Sequence, residues 1–152
     1  MKNRNQIISV AKKTIDTESK AIKNLIDLID DSFADAIEYI YNSNGRVIIT
    51  GIGKSAIIAT KIVATLNSTG TPSIFMHAAD AIHGELGTIL DDDVVICISK
   101  SGNTPEIKVL VPLIKSRGNK LIAITSNKES FLGEQADFIL NAYVKKEACP
   151  NN

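Results

Sequence analysis

Five short apolar runs, separated by turns and helical patterns, constrain this chain more than anything else in it. They are Arg46-Val47-Ile48-Ile49-Thr50, Ser73-Ile74-Phe75-Met76, Val94-Val95-Ile96-Cys97-Ile98, residues 120–125 and residues 138–140. Residues 56–66 carry a helical pattern with Ile57, Ile62 and Leu66 as core positions, and Ile107, Leu110, Val111 and Ile114 carry a second. A short third helix is expected over residues 131–136, and a polar loop containing His77, Asp80 and His83 follows the second run. Strands that alternate with helices pair in parallel, because each return to the sheet needs a crossover. The pattern predicts a doubly wound α/β domain over residues 45–152: a parallel five-stranded sheet with helices on both faces, a three-layer flavodoxin-like sandwich.

An N-terminal helical arm, residues 1–44, precedes that domain. Ile22, Leu25, Ile26, Ile29, Phe33, Ile37 and Ile40 recur at three- and four-residue steps, and Ile7, Ile8, Ala11 and Ile15 do so more weakly. The reading is helix as far as about Tyr41. Covering a small sheet needs fewer residues, so part of the arm is expected to pack on another subunit; a helix covering its own sheet is the alternative. Asn44-Gly45 ends the arm with a turn signal.

The third apolar run leads into Ser99-Lys100-Ser101-Gly102-Asn103-Thr104-Pro105-Glu106. Thr104 suits an N-cap, Pro105 the first helical position and Glu106 the first turn. A helix start offers unpaired N–H groups and the positive end of aligned peptide dipoles, so it can receive a phosphate. Ser99, Ser101 and Thr104 add hydroxyls around such an anion. A capped turn with no ligand is the plain alternative. A second turn of related character, Gly51-Ile52-Gly53-Lys54-Ser55, follows the first run. It is no Walker A loop, because Ile48 stands where that motif needs a glycine. Gly51, Gly53 and Ala56 satisfy the dinucleotide fingerprint G-x-G-x-x-A, but the second strand ends in Met76-His77 rather than in an acid for a ribose hydroxyl. A nicotinamide-binding domain is therefore the lesser alternative. Both turns lie at carboxyl ends of strands, where doubly wound sheets bind ligands, and that favours a phosphorylated ligand.

The 152 residues carry zero formal net charge and no long basic or acidic block, which argues against nucleic acid or an anionic membrane as partner. No apolar run approaches the roughly 18 residues of a membrane span, and no secretory leader is read at the start. Cys97 reads as a small core residue and Cys149 as part of a tail, so a reducing, cytoplasmic setting is expected.

From Gly45 to Pro150 the chain resembles the sugar isomerase (SIS) domain family, and within it the arabinose 5-phosphate isomerases. The resemblance rests on Thr50-Gly51-Ile52-Gly53-Lys54-Ser55, Ala64-Thr65-Leu66-Asn67-Ser68-Thr69-Gly70-Thr71-Pro72 and Ala81-Ile82-His83-Gly84-Glu85-Leu86-Gly87. Ile98-Ser99-Lys100-Ser101-Gly102 with Glu106-Ile107, and Lys146-Glu147-Ala148-Cys149-Pro150, complete it. It implies an intramolecular oxidoreductase that interconverts D-ribulose 5-phosphate and D-arabinose 5-phosphate for synthesis of the sugar Kdo of lipopolysaccharide or capsule. It also implies a homotetramer with active sites between subunits. Lys54, Glu106 and Glu147 match catalytically important positions. Gly70, Thr71, His77 and His83 match substrate contacts, and Ser99, Ser101 and Thr104 match the phosphate loop, where Gly53, Ser55 and Gly102 are expected to contribute. His77 also matches a position that can hold zinc, which would be inhibitory or adventitious. The family usually has Asn at Lys100 and Asp at Glu85. It continues beyond Pro150 through a threonine-rich segment, a helix and a further histidine, so the domain is expected to be incomplete at Asn152, and the paired CBS domains of many relatives are not found.

Aldose–ketose isomerisation moves a proton between C1 and C2 through a cis-enediol and needs no redox cofactor. A base removes the carbon proton, and a cation or donor steadies the enediolate oxygen. Glu147 or Glu106 fits the base, Lys54 the enediolate or the phosphate, and His83 ring opening or a hydroxyl. For Glu106 the competing role is to stabilise the helix dipole. A phosphosugar-binding SIS module without catalysis is the alternative function.

Overall fold

The computed structural model describes residues 3–149. Helix α1 (Arg4–Asn24) leads through a 3-10 turn, Leu25–Leu28, to α2 (Asp31–Asn42). The domain then alternates β1 (Val47–Gly51), α3 (Lys54–Ser68), β2 (Ser73–His77), α4 (Ala78–Ala81), a 3-10 turn (Glu85–Thr88), β3 (Val94–Ile98) and α5 (Pro105–Ser116). It closes with β4 (Leu121–Thr125), α6 (Phe131–Gln135) and β5 (Phe138–Asn141). All neighbouring strands pair in parallel in the order β2-β1-β3-β4-β5. The chain order reverses between β1 and β3, so the crevice for a ligand opens beyond the ends of those two strands. The expected sheet and its three-layer sandwich are found.

Every residue of β1 and β3 is buried, and the pleat sends successive side chains to opposite faces. Ile48, Val95, Cys97, Leu121 and Ala123 point to one face, against Ile107, Leu110, Val111 and Ile114 of α5 and Leu132 of α6. Val47, Ile49, Val94, Ile96 and Ile122 point to the other, against Ala36 of α2 and Ala59 of α3. Burial pushes the Cys97 thiol up to about 12, which leaves it the small, unreactive core residue expected of it.

The arm departs from the sequence reading. It is two helices, broken at Ile29 and Asp30, because the Asp30 carboxylate accepts the Phe33 N–H at 3.2 Å and caps a new helix. Helix α2 covers its own sheet: Tyr39 packs on Phe138 with ring centroids 5.5 Å apart. The Ser32 hydroxyl accepts the Ile139 N–H at 2.9 Å and donates to the Ile139 carbonyl, so it blunts the free edge of β5. Helix α1 buries none of its residues, and Ile7, Ile15 and Ile22 are all exposed.

Smaller differences have local causes. Ile57 is 71% exposed and is no core residue, whereas Ile62 and Leu66 pack on the core as expected. Helix α3 starts at Lys54 because Gly53, at φ +58°, turns the chain directly into it. The loop after β2 contains α4, whose buried Ala78 and Ala81 are masked in sequence by the polar residues around them.

Asp93 anchors the end of the sheet away from the crevice. Its buried carboxylate accepts the Arg46 N–H at 2.8 Å, the Arg46 Nη2 at 2.6 Å and the Leu90 N–H at 2.8 Å. Burial pushes the carboxyl up, but these bonds from Arg46 and Leu90 together outweigh it and hold it below the usual carboxylate range. A depressed carboxyl stabilises the fold above its unfolded value and loses that contribution as pH falls through the folded one, here below about pH 4. Asp93→Asn is expected to cost about 2–3 kcal/mol at neutral pH and to flatten the fall in stability below pH 4. Urea unfolding followed across pH checks both, and an unaltered midpoint would contradict them.

Candidate functional site

Two turns meet where the chain order reverses. Gly51, the last residue of β1, lies in register with Ile98, the last of β3, and with His77, the last of β2. A β-carbon on Gly51 would lie 3.1 Å from the Ile98 carbonyl oxygen, a tight contact, so the close approach of the two strand ends favours glycine.

Beyond β3, the buried Ser99 donates its N–H to the Ile124 carbonyl at 3.0 Å, and its hydroxyl accepts the Gly102 N–H at 3.1 Å. Gly102 sits at φ +66° against Ser130, whose side chain a β-carbon would overlap. The Leu132 N–H donates to the Gly102 carbonyl at 3.0 Å, and the Asn103 side chain accepts the Phe131 N–H. The turn is thereby fastened to β4 and α6. Thr104 occupies the N-cap position of α5 with Pro105 after it, as expected, but its side chain makes no capping bond. Its Oγ1 is buried with no partner at all. Thr50 Oγ1, His77 Nδ1 and Asn119 Oδ1 share that state among the described residues, so what distinguishes Thr104 is its place in the lining of a pocket.

Thr104, Ser99, Ser101, Lys100, Ile52, Ser55 and Ser126 line a pocket of about 430 Å³. The two turns singled out in sequence therefore share one cavity. Ser55 belongs to the first turn of α3, and Lys54 stands exposed just before it. Glu106 is half-buried in the first turn of α5.

The segment after β5 crosses back over the strand ends. The Ala142 N–H donates to the Thr125 carbonyl at 2.9 Å, and the Ser126 hydroxyl donates to the Ala142 carbonyl at 3.0 Å. That course brings the Glu147 carboxylate onto the Lys100 ammonium in an ion pair. Lys100 and Glu147 line a further cleft of about 320 Å³ with Ser55, Thr125 and Ser126. They also border a larger space of about 900 Å³ beneath Asp16, Thr17 and Lys20 of α1. Pro150, the end of the last motif, lies outside the described residues.

The remaining sites are dispersed. His77 ends β2 on the far side of β1, with its Nδ1 buried, unbonded and 3.8 Å from the Asp80 carboxylate. His83 is exposed in the connection to β3, its N–H donating to the Asp80 carbonyl at 2.9 Å. Zinc needs about four donors, and among the described residues no group of three or more His, Cys, Asp or Glu could hold a metal. The donors around His77 do not complete a zinc set. Gly70, at φ +93°, and Thr71 precede β2, one strand length or roughly 15 Å from its ligand end, so the chain's own fold does not bring them to the pocket.

Sequence reasoning missed Ser126, a hydroxyl just past β4 of the kind that identified Ser99 just past β3. It also missed the pairing of Lys100 with Glu147, which joins positions 47 residues apart and leaves no local signature.

The SIS domain model matches residues 39–151. An arabinose 5-phosphate isomerase of Pseudomonas aeruginosa, KdsD, is 48% identical over 95% of this chain and 44% of its own length. An arabinose 5-phosphate isomerase of Escherichia coli O6:H1, KpsF, is 45% identical over 96% of this chain and 45% of its own. The chain thus spans less than half the length of these relatives. The E. coli CFT073 protein c3406, solved in complex with arabinose 5-phosphate, superposes with a TM-score of 0.93 at 41% identity, covering 99% of this chain and 80% of that one. With the reversed strand order, the hydroxyl-rich turn and these likenesses together, the chain belongs to the SIS domain family.

Proposed function

We propose that the chain is the sugar-phosphate domain of an arabinose 5-phosphate isomerase, converting D-ribulose 5-phosphate and D-arabinose 5-phosphate into one another. The observation that carries this reading is the pocket that both strand-end turns share, lined by the hydroxyl-bearing Ser55, Ser99, Ser101 and Thr104. The arabinose 5-phosphate bound by the E. coli relative supports it. The product would feed Kdo synthesis, as the resemblance implies, in the reducing, cytoplasmic setting that the two cysteines suggest.

In this reading the hydroxyls of Ser55, Ser101 and Thr104 and the start of α5 hold the phosphate, so the sugar extends toward Lys54 and the two glutamates. Glu147 or Glu106 takes the proton from one of C1 and C2 and returns it to the other. Lys54 steadies the enediolate oxygen, and His83 assists ring opening. The C–H electron pair stays in the substrate, the glutamate returns the proton it borrowed, and a second proton passes from O1 to O2 in the aldose direction, so the step balances without a redox cofactor.

Gly70 and Thr71 reach a sugar only at a neighbouring subunit's pocket, and the exposed isoleucines of α1 need a cover. Both support the homotetramer with sites between subunits. Ile15→Glu with Ile22→Glu is expected to break the assembly, read as a fall in mass by light scattering; an unchanged mass would exclude α1 from the interface.

Incubating the protein with ribulose 5-phosphate should yield arabinose 5-phosphate by NMR, and replacing the base by glutamine should lower kcat by about 10²–10⁴-fold. Comparing Glu147→Gln with Glu106→Gln identifies that base. Substrate that binds and never converts, with binding intact in Glu147→Ala, would show a phosphosugar sensor instead. Gly102→Ala should displace the turn against Ser130 and raise KM at least tenfold, while a KM within twofold of the parent would place the phosphate elsewhere.

A further inference from the structure

Lys100 has two anionic claims on it. It sits within the hydroxyl-rich turn and lines the pocket with Ser55, Ser101 and Thr104, yet its ammonium is paired with Glu147. Its backbone is tethered, because its carbonyl accepts the Ser126 N–H at 3.1 Å and the Thr125 hydroxyl at 3.2 Å, whereas its side chain carries the exposed ammonium. Only the side chain is free to swing. The same residue also lines the adjoining cleft that contains Glu147, so it stands on the boundary between the two spaces.

We propose that Lys100 is a positioning residue that exchanges partners: it holds Glu147 over the strand ends until the substrate's phosphate takes its ammonium and releases the carboxylate. This rests on the isomerase reading above and adds to it a link between phosphate binding and the freedom of a glutamate. The energetics permit the exchange. The Lys100 and Glu147 side chains are 61% and 44% exposed, and pairs so open to water are worth only a fraction of 1 kcal/mol. A phosphate dianion seated by three hydroxyls presents more charge and more acceptor oxygens than one carboxylate. Coupling of this kind is reciprocal: whatever factor the pair costs phosphate in affinity, phosphate costs the pair in stability.

The exchange is read by titrating inorganic phosphate into the intact protein in a calorimeter, with folding of each variant checked by circular dichroism. Glu147→Gln, which leaves Lys100 free, should bind phosphate about two- to fivefold more tightly than the parent. Lys100→Met should bind it more weakly, and adding Glu147→Gln to Lys100→Met should recover nothing. Lys100→Arg, which keeps the charge, should restore the parent's affinity and KM, whereas Lys100→Met should raise KM more than it lowers kcat. If Glu147→Gln leaves phosphate affinity unchanged, or sharpens it equally without Lys100, the exchange is wrong and the isomerase reading stands. If the parent binds no phosphate, the exchange is wrong, while the isomerase reading falls only if ribulose 5-phosphate is also left unconverted.

Discussion

The structure depends first on one adjacency: the end of β1 lies hydrogen-bonded beside the end of β3, with Gly51 opposite Ile98. Parallel pairing across a reversed strand order sends the following turns apart, one to each face, and leaves a crevice between them. Ser55, Ser99, Ser101, Thr104 and the Lys100–Glu147 pair border that crevice, whereas His77, His83, Gly70 and Thr71 lie apart from it. Gly51 eases the approach, and Gly102 lets the second turn double back against Ser130 and α6. The result is a frame whose open side presents hydroxyls, a helix start and, at its rim, Lys100 paired with Glu147.

Rigidity and exposure are divided along the strands. At one end, Arg46 locks the sheet through several bonds to the buried Asp93 carboxylate. At the other, the charged groups are exposed or half-buried, and Lys100 and Glu147 form a pair that water weakens. A buried carboxylate suits an anchor, since breaking its bonds leaves an uncompensated charge. An exposed pair suits a contact that must be given up.

The sheet was legible because its strands are apolar runs bounded by turns, and buried parallel strands read that way. The turn from Ser99 to Thr104 was legible because cap, proline and first-turn acid follow in sequence. Two features were not. The break at Asp30 sits inside an apolar repeat that continues through it, so periodicity concealed the cap that divides α1 from α2. Glu147 stands out in sequence through the Lys146–Pro150 motif, but its partner does not, and only the return of the chain from β5 over the strand ends brings it to Lys100. Long-range pairing of that kind is a property of topology, which residue spacing does not record. Gly70 and Thr71 mark the opposite case: their motif is plain in sequence, yet within one chain they lie at the far end of β2.

The central claim, that the two strand-end turns seat the phosphate of a sugar, is tested most directly by following backbone amide resonances while D-arabinose 5-phosphate is added. The account predicts that the largest shifts fall on Ser55, Ser101, Gly102, Glu106 and Ile107, with little change at Arg46 and Asp93. Shifts centred on the Asp93 end of the sheet, or none near residues 99–107 at saturation, would contradict it.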